Sequence, residues 1–464
     1  MRTAFINICL RDDAKRRIIP VGLAYVLSAV KRAGMEFDLI DMDIEQMPMG
    51  ELEAILAREH YDAIGLGCIV TGFRRVREIA ALAKRIHPEA VFFAGNSVAT
   101  SIPETLLRNT DVDYAVIGEG DVTVVELLRA LEQGRNPDDV AGLAFLRKDR
   151  IHQTDERPLV RDLDDLPYPD WSIFDLDAYH DYSLINVNVF NKAVSKSFPV
   201  STARGCPHNC TFCYHVFKGK KYRRYSDDAI VVEMRRLHDD YGANYFAFWD
   251  ELSFPTKKSI RGLLDRLEAL EFSCGWDAPI RAGLLTRDDL ELIRDMRDSG
   301  CDNVSFSLEN ADETILAAMN KNISVSQFEE QAHVLHKGGV TPLTSVIFGY
   351  PQETPESIRK TIEVCERCDI YPSVGFLLPL PGTPIYQWAR KHGYIPDEVE
   401  YLSRIGDRQD FHINLTGMED KEFVDTVTEA LSGLAERQGL SFESPFKTGT
   451  YQTPKIKRGE DSST

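Results

Sequence analysis

Arg204-Gly205-Cys206-Pro207-His208-Asn209-Cys210-Thr211-Phe212-Cys213 carries three cysteines at the spacing C-x-x-x-C-x-x-C. Three thiolates on one short loop suit iron–sulfur chemistry, because soft sulfur ligands favour it. Three of them hold three irons of a cubane and leave the fourth iron open to a small chelating ligand. The same thiols could hold zinc, with His208 or His215 completing a Cys₃His set. A third reading is three unrelated buried thiols.

The strand Phe198–Thr202 runs straight into this loop, and strand–helix alternation continues beyond it. Strands are expected at Tyr245–Trp249, Phe272–Trp276, Asn303–Leu308, Thr344–Phe348 and Val374–Leu378. Helices are expected between them, among them Asp227–Tyr241, Lys258–Leu270, Thr286–Ser299 and Pro355–Arg367. Six such repeats in about 195 residues are too few for a full eight-fold barrel of about 250. The pattern predicts an incomplete six-stranded (β/α)6 barrel of the TIM type over residues 198–390, with its chemistry at the carboxyl ends of the strands.

Ahead of the loop, residues 1–146 also alternate short apolar runs with helical patterns. Thr3–Cys9, Phe37–Ile40, Ala63–Cys68, Val91–Gly95 and Tyr114–Ile117 read as strands, with helices at Val21–Ala33, Glu51–Arg58, Arg74–Ile86 and Val122–Leu131. This is an α/β, doubly wound, Rossmann-like sheet whose ligand would lie at the carboxyl ends of its strands. Small residues stand there: Gly65, Gly67, Cys68, Thr71 and Gly72, then Gly95 and Asn96, then Gly118-Glu119-Gly120. Residues 147–197 read as a linker, because Leu166-Pro167-Tyr168-Pro169-Asp170-Trp171 cannot continue a helix. Residues 391–444 read as a helical region, with Tyr401, Arg404, Phe411 and His412 as candidates at the barrel mouth. Residues 445–464 read as a disordered tail.

The chain has 464 residues and a net charge of −19, which argues against a nucleic-acid partner held by a generally basic surface. The basic run Lys218–Arg224 reads as a solvated loop. Nine cysteines in this length do not make a disulfide framework. No signal-like pattern and no stretch of membrane-spanning length is present, so the expected setting is soluble, reducing and cytoplasmic. An exposed iron–sulfur cluster would also favour low oxygen.

The cysteine motif resembles the signature of the radical S-adenosylmethionine (SAM) family. There a 4Fe-4S cluster binds SAM at its open iron, and the residue before the third cysteine, here Phe212, lies near the adenine. The barrel strand ends are similar too. The resemblance implies SAM contacts at Asp250 and Glu251 after the second strand and at Arg281 after the third. At the fourth, the stretch from Ser305 to Glu309 resembles a G-x-E-S segment and points to Ser307 and Glu309. Phe348–Thr354 resembles a G-x-P-G-E-T turn, in which Glu353 reads as structural, and Leu380–Pro384 resembles a P-G-T-P segment.

The N-terminal turns, starting with Pro20-Val21-Gly22-Leu23, resemble the cobalamin-binding domain fused in front of many radical SAM barrels. That implies cobalamin contacts at Pro20, Gly22, Leu23, Cys68, Thr71, Gly72, Gly95, Asn96, Gly118, Glu119 and Gly120. Gly95-Asn96 departs from the pair of glycines common in that family. The string D-x-H-x-x-G, which supplies a histidine below cobalt in domains of the methionine-synthase type, is absent. His60 and His87 are the only histidines before residue 140, so no histidine lower ligand is expected, and a loop near Cys68–Thr71 should face the metal.

The resemblance implies a cobalamin-dependent radical SAM enzyme that methylates an unactivated carbon through a 5′-deoxyadenosyl radical and methylcobalamin. A non-methylating radical enzyme, similar to the anaerobic Mg-protoporphyrin ester cyclase, is the alternative, and a corrin or redox sensor is a third reading. Tyr214, His215 and Tyr350 are possible proton carriers near the mouth. Expected partners are a small-molecule or peptide substrate and an electron donor such as a flavodoxin or ferredoxin. Cys365 and Cys368 read as structural thiols on a helix, and with only Cys9 and Cys68 in the N-terminal domain no second cluster is expected.

Overall fold

The computed structural model describes residues 1–10, 17–181 and 196–442. The middle of the expected linker and the tail from 445 lie outside the described residues. The chain opens with β1 (Thr3–Asn7), α1 (Val21–Arg32), β2 (Phe37–Asp41), α2 (Met49–Arg58) and β3 (Ala63–Gly67). It continues with α3 (Phe73–Ile86), β4 (Val91–Gly95), the short α4 (Ser97–Ser101) and α5 (Pro103–Asn109), β5 (Tyr114–Val116) and α6 (Gly120–Glu132). The sheet order β2-β1-β3-β4-β5 is parallel throughout. It places the topological switch between β1 and β3, where ligands of such sheets bind.

The sheet is not purely parallel. A hairpin, β6 (Leu143–Arg147) and β7 (Arg150–Gln153), adds two antiparallel strands beside β5. The strands therefore run past residue 146 into the stretch expected to be irregular. Beyond them, Pro169-Asp170-Trp171 touches both halves of the molecule. Asp170 N donates to Ser28 Oγ at 2.7 Å, and Arg236 Nη2 donates to the Pro169 carbonyl at 2.8 Å. The Trp171 ring lies 6.0 Å from Phe198 and is 1% exposed, inside a core that also contains Leu27, Leu128 and Met234.

After α7 (Leu176–Asp181), the second half begins with β8 (Ser197–Val200). A two-residue antiparallel ribbon follows, β9 (Ala203–Arg204) with β10 (Arg223–Arg224), and the cysteine loop is strung between its strands. Then come α8 (Asp227–Tyr241), β11 (Tyr245–Phe248), α9 (Lys257–Leu267), β12 (Gly275–Pro279), α10 (Leu290–Asp298), β13 (Cys301–Ser305), α11 (Glu313–Ala318) and α12 (Val325–Gly338). The series closes with β14 (Thr341–Leu343), β15 (Ser345–Phe348), α13 (Pro355–Arg367), β16 (Ser373–Phe376), α14 (Pro384–Lys391), α15 (Glu398–Arg404) and α16 (Asp420–Arg437).

β8, β11, β12, β13 and β14 form one parallel sheet, and β15 pairs with β16. β14 and β15 are one strand broken at Thr344. Its hydroxyl patches the break, donating to Phe306 O and accepting from Leu308 N, both at 3.0 Å. A bridge between Glu309 and Val346 carries the arc across the break. Six strand positions therefore form an open arc; among the described residues no ladder joins β16 to β8.

The third barrel strand starts three residues later than expected. Phe272 lies outside it, stacked on His238 with ring centroids 3.7 Å apart. α15 crosses back to the N-terminal half, where Thr105 Oγ1 donates to Glu398 at 2.5 Å. No helix among the described residues is long and apolar enough to cross a membrane.

Candidate functional site

The carboxyl ends of the two sheets face each other across a cavity of about 600 Å³. From the N-terminal half it is lined by Pro20, Gly22, Leu23, Gly95, Asn96 and the Gly118-Glu119-Gly120 turn, all expected ligand contacts. From the barrel half come Asp250 and Glu251, also expected, together with Trp249 and Arg204. A Cβ added at Gly22, Gly67 or Gly118 would meet nothing within 4 Å, and Gly118 has φ +75. Bare backbone with open space in front of it is the cradle that a large flat ligand needs.

Cys68, Thr71 and Gly72 do not line this cavity. Cys68 is 2% exposed, and a Cβ on Gly72 would come within 2.2 Å of its Sγ. The residue of that loop that does line the cavity is Ile69, 42% exposed. Sequence reasoning passed over it because an isolated isoleucine reads as core. His60 and His87 pack edge to face at 5.6 Å, and neither lines the cavity.

The cysteine loop is held from three sides. Lys218 Nζ donates to the carbonyls of Cys210, at 2.8 Å, and Cys213. Thr211 N donates to Met319 O at 2.9 Å, and Thr211 Oγ1 donates to Ala318 O at 2.8 Å, at the end of α11. With that hydrogen committed, Tyr350 OH, 2.8 Å away, donates to Thr211 Oγ1. Ile385 N, in the first turn of α14, donates to Thr211 O at 3.2 Å. Gly382 in the P-G-T-P segment is dictated by packing: a Cβ there would lie 2.7 Å from the Tyr214 ring.

Removal from bulk water pushes the thiols of Cys206 and Cys213 above their usual pKa, and each feels the charge of Cys210. Arg281 opposes the shift at Cys206, and Lys218 opposes it at Cys213. Among the described residues, no three His, Cys, Asp or Glu side chains converge on one point as a single ion demands. A cubane asks for something different: each thiolate meets its own iron at its own corner.

Arg281 brings an unpaired buried Nη2 to this neighbourhood, among the described residues. Leaving such a group unpaired costs about 1–3 kcal/mol, which a bound carboxylate would recover. Phe212 is half-buried, edge-on to Tyr350 at 6.4 Å. The donor set, the unpaired guanidinium and the glycine cradle thus fit a cluster, an amino-acid carboxylate and a corrin respectively.

Other expected contacts have protein partners of their own. Asp250 accepts from Thr202 N at 3.0 Å, from the Thr202 hydroxyl and from Ser253 Oγ at 3.0 Å, and burial pushes its pKa up to about 6. Glu309, at φ +64, accepts from Lys321 Nζ at 2.7 Å in a buried pair. Ser307 is half-buried just ahead of it. Glu353 is buried, accepting from Asn310 Nδ2, Gly349 N and Ser357 Oγ, and burial pushes its pKa up to about 7.

Glu119, 7% exposed, has Arg204 Nη1 at 2.7 Å and Arg223 Nη1 at 3.1 Å. It is thus an ion-pair partner to both strands of the ribbon as well as a lining residue.

Tyr350 is 1% exposed and serves the loop. Tyr214 and His215 line a second cavity of about 610 Å³ on the other side of the loop, sharing Gly118, Glu119, Val216 and Phe217 with the first. Tyr401, Arg404, Phe411 and His412 line neither; Tyr401 OH donates to Pro379 O at 2.8 Å. Cys365 and Cys368 are buried and free of any disulfide.

Comparison with known proteins agrees with this division. Residues 8–128 match the model of the B12 binding domain, and residues 200–365 match that of the radical SAM superfamily. An uncharacterized methyltransferase of Pyrococcus horikoshii is 29% identical over 387 residues, covering 82% of this chain and 81% of its own length. The anaerobic magnesium-protoporphyrin IX monomethyl ester cyclase of Cereibacter sphaeroides is 27% identical over 399 residues, 82% of this chain and 62% of the cyclase. In fold, the chain matches the radical SAM methyltransferase TsrM of Kitasatospora setae with a TM-score of 0.66 at 18% identity, covering 84% of this chain and 76% of TsrM. On these matches, the chain carries a B12-binding domain over residues 8–128 followed by a radical SAM domain over residues 200–365.

Proposed function

We propose that this protein is a cobalamin-dependent radical SAM methyltransferase acting on a small molecule or peptide. The observation that carries the reading is the shared cavity, in which the glycine turns of the B12-binding domain face Trp249, Asp250 and Glu251 at a barrel strand end. One substrate held there would meet both halves.

Cys206, Cys210 and Cys213 would hold the cluster. Arg281 would take the carboxylate of SAM, with Phe212 beside its adenine and Asp250, Glu251, Ser307 and Glu309 around its polar groups. Pro20, Gly22, Leu23, Gly95, Asn96 and the Gly118–Gly120 turn would cradle the corrin. When bound, the cluster supplies the electron that breaks the sulfonium and the corrin carries the methyl group.

The chain's own part is positioning. Lys218, Thr211 and Tyr350 fix the loop, and Ile69 and Trp249 put apolar surface on the two facing walls. No residue is needed to carry a proton during hydrogen abstraction. We place the protein in the cytoplasm, on the strength of nine cysteines with no disulfide framework, and infer a flavodoxin or ferredoxin as its reductant.

The test is anaerobic reconstitution with iron, sulfide and cobalamin, then turnover of SAM under reductant with candidate acceptors. A methyltransferase yields S-adenosylhomocysteine and 5′-deoxyadenosine together. A cyclase-like enzyme, which the Cereibacter relative favours, yields 5′-deoxyadenosine without S-adenosylhomocysteine. Intact SAM under strong reductant would sink both readings.

A further inference from the structure

We propose that the buried quartet Glu119, Asp121, Arg204 and Arg223 couples the two cofactor sites, so that cobalamin and the iron–sulfur cluster each strengthen the binding of the other, with Glu119 as the positioning residue. The proposal rests on the cofactor reading above and adds a relation between the two sites.

The cysteine loop, residues 205–222, is strung between β9 and β10, which share only the pairs Arg204–Arg223 and Ala203–Arg224. A ribbon of two pairs has no stability of its own. Its shape is set from outside: on the barrel side Tyr222 OH donates to Leu252 O at 2.9 Å, and on the N-terminal side the first turn of α6 takes both arginines. Arg204 Nη1 donates to Glu119 at 2.7 Å and to Asp121 at 3.0 Å, and its Nη2 reaches the other Asp121 oxygen at 3.2 Å. Arg223 Nη1 lies 3.1 Å from the Glu119 carboxylate and donates to Val160 O at 2.6 Å.

One carboxylate, on the N-terminal half, therefore holds both stems of the loop. Glu119 stands between Gly118 and Gly120, and all three line the cavity expected to hold the corrin. A ligand that sets the position of this turn sets the position of both arginines, and Arg204 stands two residues before Cys206.

The quartet is not a device for stability alone. All four side chains are buried, between 7% and 9% exposed, and desolvating two cations and two anions offsets most of what their pairing returns. The set is also left open: Nε and Nη2 of Arg223 are buried without a hydrogen-bond partner among the described residues. A guanidinium with two of its three nitrogens unpaired, held by Glu119 and Val160 O through the third, shifts at low cost when the turn that carries Glu119 moves. By linkage, whatever the corrin does for the cluster site the cluster does equally for the corrin site.

The experiment measures the dissociation constant of hydroxocobalamin for the full chain, anaerobically, with the cluster reconstituted and after its iron has been removed by a chelator. The expected result is binding about tenfold tighter with the cluster present. In Glu119→Gln that ratio falls to near one, whatever the substitution does to the affinity for either cofactor alone.

A merely structural bridge predicts something else: weaker binding in the variant with the ratio preserved, which overturns the proposal. A ratio of one in the unmodified protein overturns it as well, with the cofactor reading intact. Unmodified protein that binds neither cofactor overturns the cofactor reading and the coupling with it. Arg223→Lys, which keeps the charge on one stem and loses the planar fork, carries the same measurement if Glu119→Gln does not fold; a ratio that falls there too supports the coupling, and an unchanged ratio overturns it.

Discussion

Lys218 Nζ lies 2.8 Å from the carbonyl oxygen of Cys210, reaching back across the cysteine loop, and it donates to the carbonyl of Cys213 as well. A cation eight residues downstream thus sets the backbone of two expected cluster ligands and puts positive charge beside their sulfurs. Lys218→Met removes two charge-assisted bonds, of a kind worth about 1.5–3 kcal/mol net when buried and less for the exposed one to Cys213. Iron and sulfide per chain after reconstitution should fall at least about twofold, with the circular dichroism of the apoprotein unchanged. Full iron loading in the variant would show the tether to be dispensable.

Tyr350 gives a smaller and more local test. Its hydroxyl donates to Thr211 Oγ1, whose own hydrogen goes to Ala318 O. Tyr350→Phe keeps the edge contact with Phe212 and removes one buried hydrogen bond. The expected loss is about 1 kcal/mol in chemical denaturation, with the Michaelis constant for SAM rising a few-fold as the loop loosens.

Ile69 tests which residue would lie below the corrin. It is the residue of its loop that faces the cavity. The cob(II)alamin form of the unmodified protein should show no nitrogen hyperfine splitting from a protein ligand in its electron paramagnetic resonance spectrum. Ile69→His should introduce that splitting. A variant that binds cobalamin without it would place Ile69 away from cobalt.

Glu353 predicts a pH dependence. Burial raises its carboxyl to about 7 from the ordinary 4.5, against the hydrogen bonds it accepts from Ser357, Asn310 and Gly349. A raised pKa means the folded state holds the proton more tightly than the unfolded chain. That stability is fully present below pH 4.5 and is lost as the pH rises through 7. Glu353→Gln stays neutral throughout. Relative to the unmodified protein, it should be more favourable at pH 8 than at pH 5 by about 2 kcal/mol, read from apoprotein denaturation at the two pH values.

Much of this architecture was legible in the chain. Where an apolar face repeats at helical spacing between clear punctuation, Asp227–Tyr241 and Pro355–Arg367 fall residue for residue where they were expected, as does the strand Val91–Gly95. The hairpin of β6 and β7 was not, because its turn is made by Lys148 and Asp149 at φ +49 and +59. Two positive-φ residues with neither Gly nor Asn give no turn signal.

The site divides in the same way. Glycine turns and the cysteine triad announce themselves by residue type. The partners of Glu119 do not, since Arg204 and Arg223 lie 85 and 104 residues away and only the fold brings them together. Asp250 and Glu309 read as ligand contacts from their strand-end positions, while Thr202 and Lys321, which they also serve, carry no motif.

The two-pair ribbon bears on how the protein matures. The N-terminal half leaves the ribosome first, but residues 205–222 are held by Ala318, Met319, Tyr350 and Ile385, and their stems by Glu119, so the loop has no settled shape until the barrel behind it is made and that half has docked against it. Iron and sulfide offered to a half-made chain would meet three loose thiols. Assembly machinery therefore has a window only after synthesis is complete, and substitutions that weaken docking would surface in cells as iron-poor protein rather than as inactive holoenzyme.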